Sequence, residues 1–92
     1  MKSDPWKGFS YTLSMTAAPD LFKDACIILE QHGASKENEL LEDVDGSLML
    51  KYRLNGKNVR IDCNVEVDAV FIDSQVDLSN ILKGMILLAR KY

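Results

Sequence analysis

Ninety-two residues, 47% of them apolar, can support one hydrophobic core and rarely two, so a single domain over residues 1–92 is expected. Fourteen acidic against eleven basic residues give a net charge of −3 and a pI near 5.0; this argues against a general nucleic-acid binder, whose affinity comes from Lys and Arg displacing counterions. No run approaches the roughly 18 apolar residues of a membrane span, and Met-Lys-Ser-Asp-Pro puts a charge and a proline where a signal peptide needs apolar residues, so a cytoplasmic protein with no membrane partner is expected.

Residues 1–8, with Pro5, Trp6 and Gly8, read as an irregular arm whose indole anchors on the domain. From Phe9 the apolar residues alternate: Phe9, Tyr11, Leu13 and Met15 share one face, and Ser10, Thr12, Ser14 and Thr16 the other. This is a first strand. Thr16 is placed to cap the helix that follows, with Pro19 in its first turn and Asp20 near the positive end of the dipole. That helix should run to about His32 and stop at Gly33, burying Leu21, Phe22, Ala25, Ile28 and Leu29. Ile27 falls in the middle of the wet face.

Residues 34–46 favour helix by their Glu and Leu content, but Asp45-Gly46 is a turn signal leading into the next strand, and a short strand near 38–44 is the preferred reading. A three-residue turn with a glycine bulge would set Leu40 opposite Leu50 and keep Glu39 and Asp43 out of the core.

The clearest element is a hairpin over residues 47–68. Leu48, Leu50, Tyr52 and Leu54 hold one parity of its first strand, and Val59, Ile61, Cys63, Val65 and Val67 one parity of its second. A two-residue loop at Asn55-Gly56 or at Gly56-Lys57 puts Leu50 and Tyr52 on the same face as Ile61 and Cys63 in either case. After Asp68 the alternation fails at Ala69-Val70-Phe71-Ile72, and Ser74 with Asp77 forms an S-x-x-D signal for a final helix. Its stripe would be Leu78, Leu82, Met85, Ala89 and Tyr92, with Gly84 in mid-helix at a cost of about 1 kcal/mol.

The resulting fold is α+β: one small domain with a mostly antiparallel three- or four-stranded sheet, two helices on one face, and the order β-α-(β)-β-β-α. That order is similar in topology to the small ribosome-hibernation factors. The likeness lies in element order alone, with no shared motif, and the net charge has the wrong sign for coating ribosomal RNA.

No constellation points to catalysis. Cys26 and His32 lie six residues apart, about 240° around a helix, so they do not meet within it; His32 is better read as binding free carbonyls at the helix end. Cys26 and Cys63 sit in apolar settings and read as reduced core thiols. Glu37, Glu39, Glu42, Asp43 and Asp45 lack the spacing of a calcium loop, and zinc would need more than one histidine or a C-x-x-C. There is no glycine-rich phosphate loop and no G-x-S-x-G or H-E-x-x-H. Asp62, Glu66 and Asp68 alternate with core positions as a wet strand face. The expectation is a protein that is not an enzyme and needs no cofactor or metal.

Two surfaces are less ordinary. Lys51, Arg53, Lys57 and Arg60 cluster toward the turn end of the hairpin, with like charges opposed across the strands, as a solvated edge or a contact for an acidic partner. Ile27, Met49, Val70 and Ile72 are apolar on faces that should be wet; the last three are assigned to the outer parity of the sheet, beside Ser10, Thr12 and Ser14. The leading expectation is a small acidic interaction module that docks another protein, or a second copy, through its sheet face or its acidic edge, with Ile27, Met49, Val70, Ile72, Lys51, Arg53, Arg60, Glu37, Glu39 and Glu42 as the candidate contact residues. The alternatives are an acidic inhibitor of a basic partner such as a nuclease, acting through Glu37, Glu39 and Glu42, and a ribosome-associated RNA-binding factor using Lys51 and Arg53.

Overall fold

A computed structural model describes residues 8–91. The reading of residues 1–7 and of Tyr92 lies outside this range. Within it, seven strands and one helix follow in the order β1 (Phe9–Ser14), α1 (Pro19–Gln31), β2 (Ser35–Lys36), β3 (Leu41–Glu42), β4 (Leu48–Leu54), β5 (Lys57–Asn64), β6 (Ala69–Ser74) and β7 (Leu88–Lys91). The strands form one antiparallel sheet in the order β2-β4-β5-β6-β1-β7, with β3 also paired to β4. The α+β class stands, but the expectation of three or four strands and two helices does not.

The central hairpin follows the alternation. Leu54 pairs with Lys57, so the loop is Asn55-Gly56, and both residues take the positive φ angles that suit a tight two-residue hairpin turn (54° and 76°). In this register Leu50 faces Ile61 and Tyr52 faces Val59, and all four are buried together with Leu48, Leu54 and Cys63. The β3–β4 turn has the bulged form: Asp43 N–H donates to the Ser47 carbonyl, Gly46 N–H to the Asp43 carbonyl, and Gly46 takes φ 93°. Leu41 pairs with Met49 and Glu42 with Leu48, the alignment that sets Leu40 against Leu50.

The preceding edge is interrupted. Lys36 pairs with Tyr52 and Leu41 with Met49, so five steps along one strand match three along the other. The excess is taken up at residues 37–40, where the Asn38 side-chain oxygen accepts the Lys51 N–H at 2.8 Å. Of the expected strand at 38–44 only β3, Leu41–Glu42, forms, and the other edge piece, β2, lies before that range at Ser35–Lys36.

The helix lies on one face of the sheet, with Phe22, Ala25, Cys26 and Leu29 buried and Leu21 and Ile28 partly so. It ends as the sequence implies: His32 Nδ1–H donates to the Ile28 carbonyl at 2.9 Å, and Gly33 has φ 94°. Its start differs. Thr16 turns its hydroxyl toward Ser14 Oγ instead of capping, the N-cap residue is Ala18, and Asp68 Oδ1 accepts the Ala17 N–H at 2.7 Å from across the β5–β6 turn.

That turn accounts for the largest parity error. Val65 and Val67 continue the alternation of β5 by composition only; Val65–Asp68 form the turn, with Asp68 at φ 61°, and both valines are exposed. β6 pairs with β5 at Cys63–Val70 and Ile61–Ile72, so Val70 and Ile72 face the helix and are fully buried, while Phe71 points outward. Their assignment to the outer face is corrected accordingly.

The expected final helix is a single turn. Ser74 is fully buried, and its hydroxyl donates to the Val76 carbonyl (2.7 Å) and accepts the Val76 N–H (2.9 Å), closing a bend in place of a cap. Asp77 Oδ1 accepts from Ser79 N–H and from the Tyr11 hydroxyl. Leu82 N–H reaches the Leu78 carbonyl, both side chains enter the core, and Gly84 at φ 87° then halts the coil. Residues 88–91 add to the free side of β1, pairing Leu88 with Thr12 and Lys91 with Phe9. An apolar run such as Met-Ile-Leu-Leu-Ala suits helix and strand alike, and here the unpaired flank of β1 decides. With β7 where a second helix was expected, the element-order likeness to ribosome-hibernation factors is lost. None of the described helices is long and apolar enough to cross a membrane.

Candidate functional site

Because the helix and the 75–87 segment both cover the inner face, the described residues leave the outer face of the sheet without a helical layer. Cross-strand pairing arranges that face in rows. One row runs Leu41, Met49, Asp62, Phe71, Thr12, Leu88, and the next Lys51, Arg60, Asp73, Ser10, Arg90, with Arg53 and Asn58 beyond it. The first is mainly apolar and the second mainly charged.

Asp62 is the buried polar member. Arg60 Nε donates to its Oδ2 at 2.9 Å and Arg60 Nη2 to its Oδ1 at 3.3 Å, and only 9% of the Asp62 side chain is exposed. Burial pushes its carboxyl above the usual range, against the opposing pull of Arg60. The pair thus fills the middle of the face and supports Met49 and Phe71 on either side. A depression of about 360 Å³ opens beside it between Leu41, Met49, Arg60 and Asn64.

The residues singled out by sequence divide among several places. Met49, Lys51, Arg53 and Arg60 stand on the outer face. Arg53 is tied to the acidic segment: its Nε and Nη2 each donate to Glu37 at 3.3 Å, and Nη1 to the Gly56 carbonyl. Glu37 is therefore a partner of the basic cluster and not part of an independent polyanion. Glu39 and Glu42 are exposed along the interrupted edge. Ile27 is 53% exposed on the helix, in the other layer of the protein, where it borders a groove of about 340 Å³ with Cys26, Leu40 and Tyr52. Val70 and Ile72 are in the core.

Phe71, Leu88 and Arg90 are members of the outer sheet face that the sequence does not assign to it. Because the alternation fails at 69–72, pattern alone does not choose the β6 parity, and the expectation of Val70 and Ile72 outward takes the wrong one; Asp68 at positive φ, the cue for the turn, carries no glycine to announce it.

A second polar cluster lies under the helix. The Tyr52 hydroxyl donates to Glu30 Oε2 at 2.5 Å, Lys36 Nζ stands 3.9 Å from the same oxygen, and Cys26 lines the same groove. Burial pushes the Cys26 thiol up, so it is held as a neutral group and not as a nucleophilic thiolate. Cys63 is also free and buried. Among the described residues no three His, Cys, Asp or Glu side chains are placed to hold a metal ion.

Comparison with family models, with curated proteins and with solved structures returns no match.

Proposed function

We propose that this protein is a non-enzymatic interaction module that docks another protein, in the simplest case a second copy of the chain, on the outer face of its sheet. The observation that carries the reading is the row in which Leu41, Met49, Phe71 and Leu88 stand with Asp62 and Thr12 between them, on a sheet face that bears no helix among the described residues. A two-layer fold ordinarily hides its apolar rows against its second layer; this one lies on the side away from that layer. The neighbouring charges nearly balance, with Lys51, Arg53, Arg60 and Arg90 against Asp62, Asp73 and Glu37. A second copy is therefore not strongly repelled.

Six strands by about five residues give a face of roughly 29 by 17 Å. That is about 500 Å² in projection, at the small end of specific interfaces, so a dissociation constant in the micromolar range is expected. Light scattering from low to high micromolar concentration tests the idea. The wild type should pass from monomer to dimer, and Phe71→Lys should stay monomeric while keeping the native circular dichroism. A wild type that is monomeric throughout overturns docking of a second copy.

A further inference from the structure

At the end of the sheet where α1 begins, three turns lie side by side: residues 15–18 after β1, 43–47 between β3 and β4, and 65–68 between β5 and β6. Hydrogen bonds tie them together. Asp68 Oδ1 accepts the Ala17 N–H at 2.7 Å, and Ser47 Oγ accepts the Val65 N–H at 2.9 Å. A Cβ on Gly46 would stand 3.8 Å from Val65 Cγ2, so the second and third turns are also in van der Waals reach. The tip is thus a fixed surface and not three separate loops.

Its composition is unusual for turns, which normally carry polar residues. Val44 is fully exposed, Met15 is 68% exposed, Val67 64% and Val65 41%. The same turns hold Asp43, Asp45, Glu66 and Asp68 and contain no lysine or arginine. We infer that this tip is a second docking surface, independent of the outer sheet face, and that its occupant is a basic amphipathic helix of a protein partner. The aliphatic side chains supply the contact for the apolar stripe, and the carboxylates between them complement the flanking lysines or arginines. From β3 to β1 the tip spans four strand spacings, about 19 Å. At 1.5 Å per residue that matches a helix of about 13 residues, or anchors at i, i+3, i+7 and i+10. The carboxylates disfavour the anionic headgroups of a membrane surface.

The test uses a capped amphipathic peptide of about 15 residues, built from leucine and lysine at helical spacing. Titrated into the labelled full chain, it should shift amide resonances of residues 15–18, 43–47 and 65–68 and leave those of Lys51, Arg60 and Phe71 in place. The double variant Val44→Ser, Val67→Ser should weaken binding about tenfold, the effect of roughly 1.4 kcal/mol of lost apolar contact. Raising salt from about 0.05 to 0.5 M should weaken it further. Resonance shifts centred on the outer face, equal binding by the double variant, insensitivity to salt, or no binding of the peptide alongside binding to vesicles containing anionic lipid would each overturn the proposal. Because the variant leaves Phe71 and Met49 untouched, failure here is distinguishable from failure of the outer-face reading.

Discussion

Substituting Ile72 and Phe71 separately by alanine measures the orientation of β6 directly. Ile72 is fully buried and pairs with Ile61 on one side and Tyr11 on the other, both themselves 1% exposed or less. Little can move in to fill the space it leaves. Removing its three carbons costs about 2.4 kcal/mol in transfer free energy, and the unfilled cavity raises this to about 3–4 kcal/mol. Phe71, between Asp62 and Thr12 on the outer face, keeps part of its ring in water, and its truncation should cost only about 1 kcal/mol. A chain of 92 residues is stable by about 5–14 kcal/mol, so the first change consumes a large part of the total and the second does not. Urea unfolding followed by circular dichroism should separate the two midpoints clearly, and the Tm of Ile72→Ala should fall by about 15–30 °C. If Phe71→Ala proves as damaging as Ile72→Ala, or more so, β6 is turned the other way and the outer-face row does not exist.

Gly84→Ala distinguishes the observed bend from a helix by sign: at φ 87° the substitution should destabilise by about 1 kcal/mol, whereas in a helix interior it would stabilise by about as much, and equilibrium denaturation reads the difference. Tyr52 gives a pH dependence. Burial, followed by the hydrogen bond to Glu30, holds its phenol well above the ordinary tyrosine value, so the unfolded chain releases this proton first. Its contribution is complete below about pH 10 and falls by about 1.4 kcal/mol per pH unit above it. Tyr52→Phe should therefore lose about 1 kcal/mol at neutral pH and show a shallower alkaline decline; parallel curves for the two proteins would refute the assignment.

The parts of this fold legible in the sequence are those set by short-range pattern. Leu50, Tyr52, Ile61 and Cys63 alternate cleanly about a turn that Asn55-Gly56 defines, and Pro19 and Gly33 bracket the helix that His32 finishes. The bulged turn at Gly46 could be chosen over its rival because the rival register would have buried Glu39 and Asp43. What was not legible depends on partners distant in sequence. Leu88–Lys91 are a strand because Phe9–Thr12 offer a free ladder almost eighty residues away. Asp68 takes its positive φ while binding Ala17, a contact spanning fifty-one residues. Gly84 was visible, but its meaning as a stop instead of a tolerated helix glycine was not. Of the candidate site, the sequence located Met49, Lys51, Arg53 and Arg60 on the correct face; Phe71, Leu88 and Arg90 required the pairing of β6 and β7.

The two flanks of the sheet have different capacities for growth. On one side the ladder is broken into dipeptides, with the Asn38 amide standing in for a backbone carbonyl, and an incoming strand finds no continuous run of donors and acceptors. On the other, among the described residues, β7 presents an unbroken four-residue margin. If two molecules ever join margin to margin through β7, both termini of the enlarged sheet are the interrupted kind, and lateral extension stops at a pair. Strand addition thus enlarges the sheet once and then has no further regular edge to use.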